Sequence, residues 1–288
     1  MSGHSHHDID WAERLAQLRM ADALDAEALE PVARRLVGSV RGPATVVDVG
    51  CGAGGMSVLF ARELARGGGG TVVLVDATPT LLAEAERAVG EAAGDSVAVV
   101  GLLGDLTDPA LAVPAAELVW ASGVVHHVGD QQAALRTLAG LLRPGGVLAV
   151  AEGGLEMRCL PWELGVGRPG LEQRLLAARA SWFERMRAGI PGSVGMPYGW
   201  PRALREAGLA DVESFGALID HPMPGSDLLR EYVVHRVGWL AESAGEWLDA
   251  DDLAAAAALT DPQSPDFLGH RDDLYLFGAK AIHCGRLR

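Results

Sequence analysis

The stretch VVDVGCGAGG, residues 46–55, decides how this chain of 288 residues is read. An apolar run carrying one aspartate, Asp48, passes directly into a turn that holds four glycines. The run ATVVDV reads as a buried strand, and GMSVLFARELAR (55–66) as a helix with apolar residues at helical spacing. Glycine in the turn between them permits positive φ and lets a ligand approach the backbone. A GxGxG run alone is shared by nucleotide-binding folds in general. Asp48 narrows the choice. A carboxylate two residues ahead of Gly50 can hold loop amides or reach an ammonium group through water, and it is unfavourable beside a pyrophosphate. No lysine follows the loop, which excludes a phosphate-cradling P-loop.

The same rhythm continues downstream. GGGG (67–70) stops the helix, TVVLVD is a second strand, and residues 78–93 form a second helix with Thr78 as cap before Pro79. SVAVVG and ELVWAS are the third and fourth strands, a helix follows from about Asp130 to Leu142, RPGG ends it, and VLAVAE is the fifth strand. Strands alternating with helices imply βαβ units and a parallel sheet covered on both faces. Residues 10–40 read as helical with a break at Pro31. Beyond Glu152 the spacing changes: a helix falls around 171–188, then helix, glycine stop and sixth strand in GWPRALREAGLADVESFGALI, two helices over about 226–259, and a final strand over 273–284.

Ligands of open parallel sheets sit at the carboxyl ends of the strands, so the residues there are the site candidates. Asp76 ends the second strand, next to Ala77, and two carboxylate oxygens there suit ribose hydroxyls; they also argue against a 2′-phosphate. GLLGDL ends the third strand, placing Gly104, Asp105 and Leu106 beside a flat heterocycle, with Asp105 accepting from an exocyclic amine. Ser122 and Gly123 begin the turn after the fourth strand, followed by His126 and His127. Glu152 ends the fifth.

The set VVDVGCGAGG, VVLVD, GDL, ELVWASGVVHHV and LRPGGVLAV resembles the class I S-adenosylmethionine-dependent methyltransferases, in order and spacing, over residues 44–152. The resemblance is looser in GWPRALREAGLADVE and the last strand. It implies an α/β, Rossmann-like, doubly wound sheet of seven strands, the last antiparallel, with helical insertions forming a substrate lid. It implies S-adenosyl-L-methionine as cofactor. The methionine end would lie on Gly50, Cys51, Gly52 and Gly54 with Asp48 and Ser122 nearby, the ribose on Asp76, and the adenine near Asp105 and Leu106. It divides the chain into an N-terminal helical cap (1–43), a cofactor-binding core (44–152), a helical substrate-binding insertion (153–200) and the rest of the core (201–288), with a lid at about 226–259. His126 or His127 is a candidate general base for a hydroxyl acceptor, since imidazole titrates near neutrality, and Glu152 would orient it or bind substrate. Trp162, Trp182, Met186, Tyr198 and Trp200, with His221, Tyr232, His235 and Trp239, are candidate walls of an apolar or aromatic acceptor pocket. Arg14, with Trp11 and Met20, would close over the cofactor and pair its carboxylate.

Composition limits the alternatives. The formal net charge is -14, and apart from Lys280 the basic residues are all arginine. With no basic face, nucleic acid and anionic membranes are disfavoured as partners. The polar start MSGHSHHDID is no signal peptide, and no apolar run approaches a membrane span. A cytoplasmic enzyme of a small, partly apolar substrate is expected, with a homodimer as the candidate assembly. Cys51, Cys159 and Cys284 are far apart and frame neither a disulfide set nor a zinc site. His4, His6 and His7 read as a disordered tail. Metal-assisted transfer needs two or three converging carboxylates, and only Asp130 and Glu152 are near, so no metal is expected. Transfer to nitrogen or carbon remains open. An NAD-dependent oxidoreductase is not excluded by spacing, because Gly55 follows Gly50 and Gly52 where that fingerprint ends, but Asp48 and the GDL turn disfavour it. A non-catalytic cofactor-binding protein is the third reading.

Overall fold

The computed structural model describes residues 11–106, 108, 111–222 and 225–288, with side chains from Arg14 onward. His4, His6, His7 and the side chain of Trp11 lie outside the described residues. In chain order the elements are α1 (Trp11–Gly38), β1 (Ala44–Val49), α2 (Gly55–Arg66), β2 (Gly70–Asp76), α3 (Pro79–Ala93), β3 (Val97–Leu103), β4 (Ala116–Ser122), α4 (Gln131–Gly140), β5 (Leu142–Arg158), α5 (Leu171–Gly189), α6 (Trp200–Glu206), β6 (Ala210–His221), α7 (Asp227–Ser243), α8 (Ala250–Thr260) and β7 (Leu276–Arg286). A 3-10 turn, Val125–His127, follows β4.

The strands form one seven-stranded sheet in the order β3-β2-β1-β4-β5-β7-β6. β1 to β5 pair in parallel, and β7 runs antiparallel. The strand order reverses between β1 and β4, which opens a crevice at their carboxyl ends. Period-two alternation assigns side chains to faces. Val46, Val72, Leu74, Leu118 and Trp120 join a cluster with Leu36 of α1 and Phe60 and Leu64 of α2. Val47, Val49, Val73, Val75 and Val119 join a second with Leu135 and Leu138 of α4 and Leu204 of α6. Asp48 shares the parity of Val46 and is therefore buried on the α2 side. Glu152 shares the parity of Leu148 and Val150, which puts it on the α4 side.

The chain divides into two compact units. The first comprises residues up to Gly154, Val194–Ala217 and Lys280–Arg288; the second comprises Leu155–Ser193 and Leu218–Ala279. The second contains α5, α7 and α8. There Asp252, almost fully buried, accepts from Arg174 at 2.6 and 2.9 Å and from Arg168 at 3.1 Å, and Trp182 and Trp239 meet edge to face at 5.9 Å.

Three local expectations are corrected. α1 runs unbroken through Pro31; the proline and Glu27, the residue whose carbonyl loses its helical partner, are both exposed, where water can take the place of the lost bond. Leu29, Val32, Ala33 and Leu36 keep the helix seated in the first cluster. Thr78 is at the N-cap of α3 but its side chain makes no capping bond; its own N–H donates to Asp76 Oδ1 at 2.8 Å. RPGG lies inside β5, where the pairing with β4 shifts register between Ala116 and Leu118, a bulge that absorbs the proline.

Candidate active site

The glycine loop is fixed from three sides within the first unit. Gly50 and Cys51 both donate to the Val75 carbonyl, at 2.7 and 3.1 Å. Gly52 N–H donates to Asp76 Oδ2 at 3.0 Å, and Gly55 N–H to Asp22 Oδ2 of α1 at 3.1 Å. Gly50, Gly52 and Gly54 have φ of 68°, 56° and 89°, a region costly for other residues. At Gly50 a side chain would also strike Val124, whose Cγ2 lies 2.3 Å from an ideal Cβ. That contact brings the turn after β4 against the loop after β1.

Asp76, rather than Asp48, holds the loop amides. Asp48 is buried and accepts from Ser57 Oγ of α2 at 2.6 Å. Burial, opposed by that bond and reinforced by the charges of Asp22 and Asp76, pushes the Asp48 carboxyl up to about 7. Burial likewise raises Asp22 to about 6, with Lys280 opposing and Asp25 adding to the shift. Lys280 Nζ lies 2.5 Å from Asp25. Cys51 is buried, and burial beside these carboxylates raises its thiol, so it is no thiolate nucleophile. Asp22 and Ser57 were invisible to sequence reading, since neither sits in a motif and each meets the loop only through packing.

The end of β5 supplies the second half of the site. Glu152, which is buried, accepts from Val124 N–H and Val125 N–H through Oε1, at 3.1 and 2.8 Å. Its Oε2 lies 2.8 Å from His126 Nδ1. One carboxylate thus caps the 3-10 turn and orients the imidazole. A proton on Nδ1 facing Glu152 leaves the basic lone pair of the neutral ring on Nε2. His127 is exposed, with its ring 4.2 Å from that of His126; the Glu152 contact distinguishes the two. Asp130 caps α4 by accepting from Ala133 N–H at 2.8 Å.

The remaining candidates are dispersed. Ser122, half-buried, ends β4; Ala77 is exposed after β2; Gly104 N–H donates to the Asp76 carbonyl at 3.0 Å. Asp105 is exposed, and Leu106 lines an apolar cavity with Val49, Val75, Leu111 and Val113. Arg14 is exposed on α1 and makes no ion pair among the described residues. Met20 is buried in α1. Tyr198 and Trp200 belong to the first unit, packed on its second cluster, with the Tyr198 hydroxyl donating to Gln132 at 3.1 Å. Trp162, Trp182, Met186, His221, Tyr232 and His235 belong to the second unit; Trp162 is exposed and the others are half-buried. The expected insertion 153–200 is therefore divided at Val194.

The donor set fits a cationic nucleoside. Asp76 uses one lone pair on each oxygen for amides, and a carboxylate offers about four in all, which leaves acceptors for a diol. An ideal Cβ at Gly52 has Leu18 Cδ1 as its nearest neighbour, at 4.0 Å, so that stretch of backbone is open to close approach. Two carboxyls raised chiefly by burial, each with neighbouring carboxylates adding to the shift, mark a negative site that a positive ligand would relieve.

This combination of sheet, switch-point crevice and carboxylate-bearing glycine loop defines a class I S-adenosylmethionine-dependent methyltransferase, and the chain belongs to that family. S-adenosylmethionine is its cofactor. A family profile for a methyltransferase domain matches residues 47–148. The chain is 33% identical to nocamycin O-methyltransferase of Saccharothrix syringae over 82% of its own length and 84% of that enzyme. It is 32% identical to trans-aconitate 2-methyltransferase of Delftia acidovorans over 49% of its length and 48% of the relative. A methyltransferase structure from Thiobacillus denitrificans with bound S-adenosylhomocysteine superposes over 89% of this chain and 90% of that one, with TM-score 0.45 and 17% identity. Among the described residues no helix is long and apolar enough to cross a membrane.

Proposed function

We propose that the chain methylates a hydroxyl oxygen of a small, partly apolar acceptor, with His126 as general base and Glu152 as the group that positions it. The observation that carries this reading is the 2.8 Å contact between His126 Nδ1 and Glu152, at the strand ends beside the glycine loop. Glu152 is nearly excluded from water, so its orienting bond is shielded from competition. When bound, S-adenosylmethionine supplies a methyl group already activated on sulfur. The protein then has to hold the acceptor in line, keep water out, and take the hydroxyl proton on His126 Nε2. Asp76 would hold the ribose diol, Gly50, Cys51, Gly52 and Gly54 the methionine end, and Gly104, Asp105 and Leu106 the adenine, with Ser122 beside the sulfur. The name of the S. syringae relative, an O-methyltransferase, supports oxygen.

The test is transfer of a labelled methyl from S-adenosylmethionine to matched sets of phenols, alcohols, amines and activated methylenes. The expected products are ethers. Label on nitrogen or carbon alone would overturn the oxygen reading.

A further inference from the structure

Within the second unit three arginines converge on the end of β5. Arg158 lies on β5, Arg179 on α5 and Arg236 on α7. Arg236 Nη2 donates to the Met157 carbonyl at 3.0 Å. Arg179 Nη1 donates to Glu156 at 3.1 Å, and Arg158 Nη1 approaches Glu172 Oε2 at 3.8 Å without bonding it. Glu172 is buried and already accepts from Cys159 N–H at 2.7 Å. Three guanidinium groups therefore face two carboxylates, and one positive charge stays uncompensated; Arg236 has no ion-pair partner among the described residues.

The hydrogen-bond account fails at the same place. Arg158 Nη1, Arg179 Nε and Arg236 Nε are buried and have no acceptor, and they are the only such side-chain atoms among the described residues. An unsatisfied buried donor is costly, more so on a charged group. Other second-unit arginines, such as Arg168, Arg174, Arg185 and Arg271, bond carboxylates and leave no buried side-chain donor orphaned. Orphaned donors and surplus charge coincide at one cluster. The adjoining wall is aromatic: the Arg179 guanidinium lies 5.7 Å from the Trp239 ring centre, and Trp239 meets Trp182.

We propose that Arg158, Arg179 and Arg236 bind the carboxylate of an aromatic or apolar acid, a ligand site within the second unit that goes beyond the methyltransferase reading. Guanidinium forks match a carboxylate's two oxygens, and one carboxylate restores neutrality. The acid's apolar body would pack on Trp182 and Trp239.

Calorimetric titration of the full chain with benzoate and with its neutral isostere benzamide tests this, with S-adenosylhomocysteine titrated in parallel. Saturable benzoate binding is expected, at least tenfold tighter than benzamide and weakened by added salt. Arg236→Gln should reduce benzoate affinity tenfold or more and leave S-adenosylhomocysteine binding intact, while an unchanged denaturant-unfolding profile certifies the fold of the second unit. Arg236→Lys, which keeps the charge and loses the fork, should fall between. Equal affinities for the two probes, no benzoate binding, or an unchanged Arg236→Gln affinity would overturn the anion site and assign the orphaned donors to water. Failure to bind S-adenosylhomocysteine with benzoate binding retained would count against the methyltransferase reading alone.

Discussion

In the first unit, buried and half-buried carboxylates gather around backbone amides: Asp76 holds Gly52 and Thr78, Asp22 holds Gly55, and Glu152 holds Val124 and Val125. In the second unit, guanidinium groups gather around carboxylates, and at β5 they outnumber them. The contrast separates two ways of preparing a site. Carboxylates fixed by amides are positioned without cationic side chains, so their field is available to a cation. Arginines fixed by too few carboxylates leave donors available to an anion. An acidic chain with a net charge of -14 needs such local concentration to bind an anion at all.

The largest effect that would break this contrast concerns the histidine pair. His126→Ala should lower kcat by about 10²–10⁴-fold, the usual scale of general-base catalysis, with S-adenosylhomocysteine affinity unchanged; His127→Ala should lower it far less. Equal losses in steady-state assays would remove the significance of the Glu152 contact. Next, Asp252→Ala leaves Arg168 and Arg174 without their shared buried partner and should destabilise the second unit by about 3 kcal/mol, read by denaturant unfolding. S-adenosylhomocysteine binding by the folded protein should persist. Asp76→Ala removes the loop anchor together with the proposed ribose acceptors and should weaken S-adenosylhomocysteine by about 1–3 kcal/mol, measured by calorimetry.

The last effect is the dependence on pH. Asp22 and Asp48 titrate at about 6 and about 7, above the ordinary aspartate value, because burial disfavours their charge. The ligand-free folded state therefore keeps protons that the unfolded chain has already lost between about pH 4 and 7. Its stability should fall as pH rises through that window. A cationic ligand favours the ionised carboxylates and binds with proton release, so its affinity should rise over the same range, by at most about tenfold per pH unit for each proton released. Thermal melts with and without S-adenosylmethionine from pH 5.5 to 7.5 would reveal the opposing slopes.

The sheet was legible because its signals are local. VVDVGCGAGG carries strand, turn and helix start within ten residues, and Asp76 and Glu152 end apolar runs whose length marks them. Which oxygen meets which amide was not legible. Asp48 and Asp76 both stand near the glycines in sequence, and only the packing of Ser57 under β1 assigns Asp48 to the core and Asp76 to the loop. Asp22 comes from a helix whose facing depends on tertiary burial. Trp162, Trp182, Tyr198 and Trp200 read as one aromatic cluster because they are close in sequence, but the chain returns to the first unit at Val194 and divides them. Arg158, Arg179 and Arg236 lie on three elements, and no spacing rule connects them.

The central claim is that a negative loop at the switch point receives a positively charged methyl donor. Calorimetric titration of the purified chain with S-adenosylmethionine, S-adenosylhomocysteine and NAD tests it most directly. The account predicts saturation by the first two at one per chain, tightening as pH rises from 5.5 to 7.5, and no heat from NAD. Saturation by NAD with no response to either adenosyl sulfur compound would contradict it.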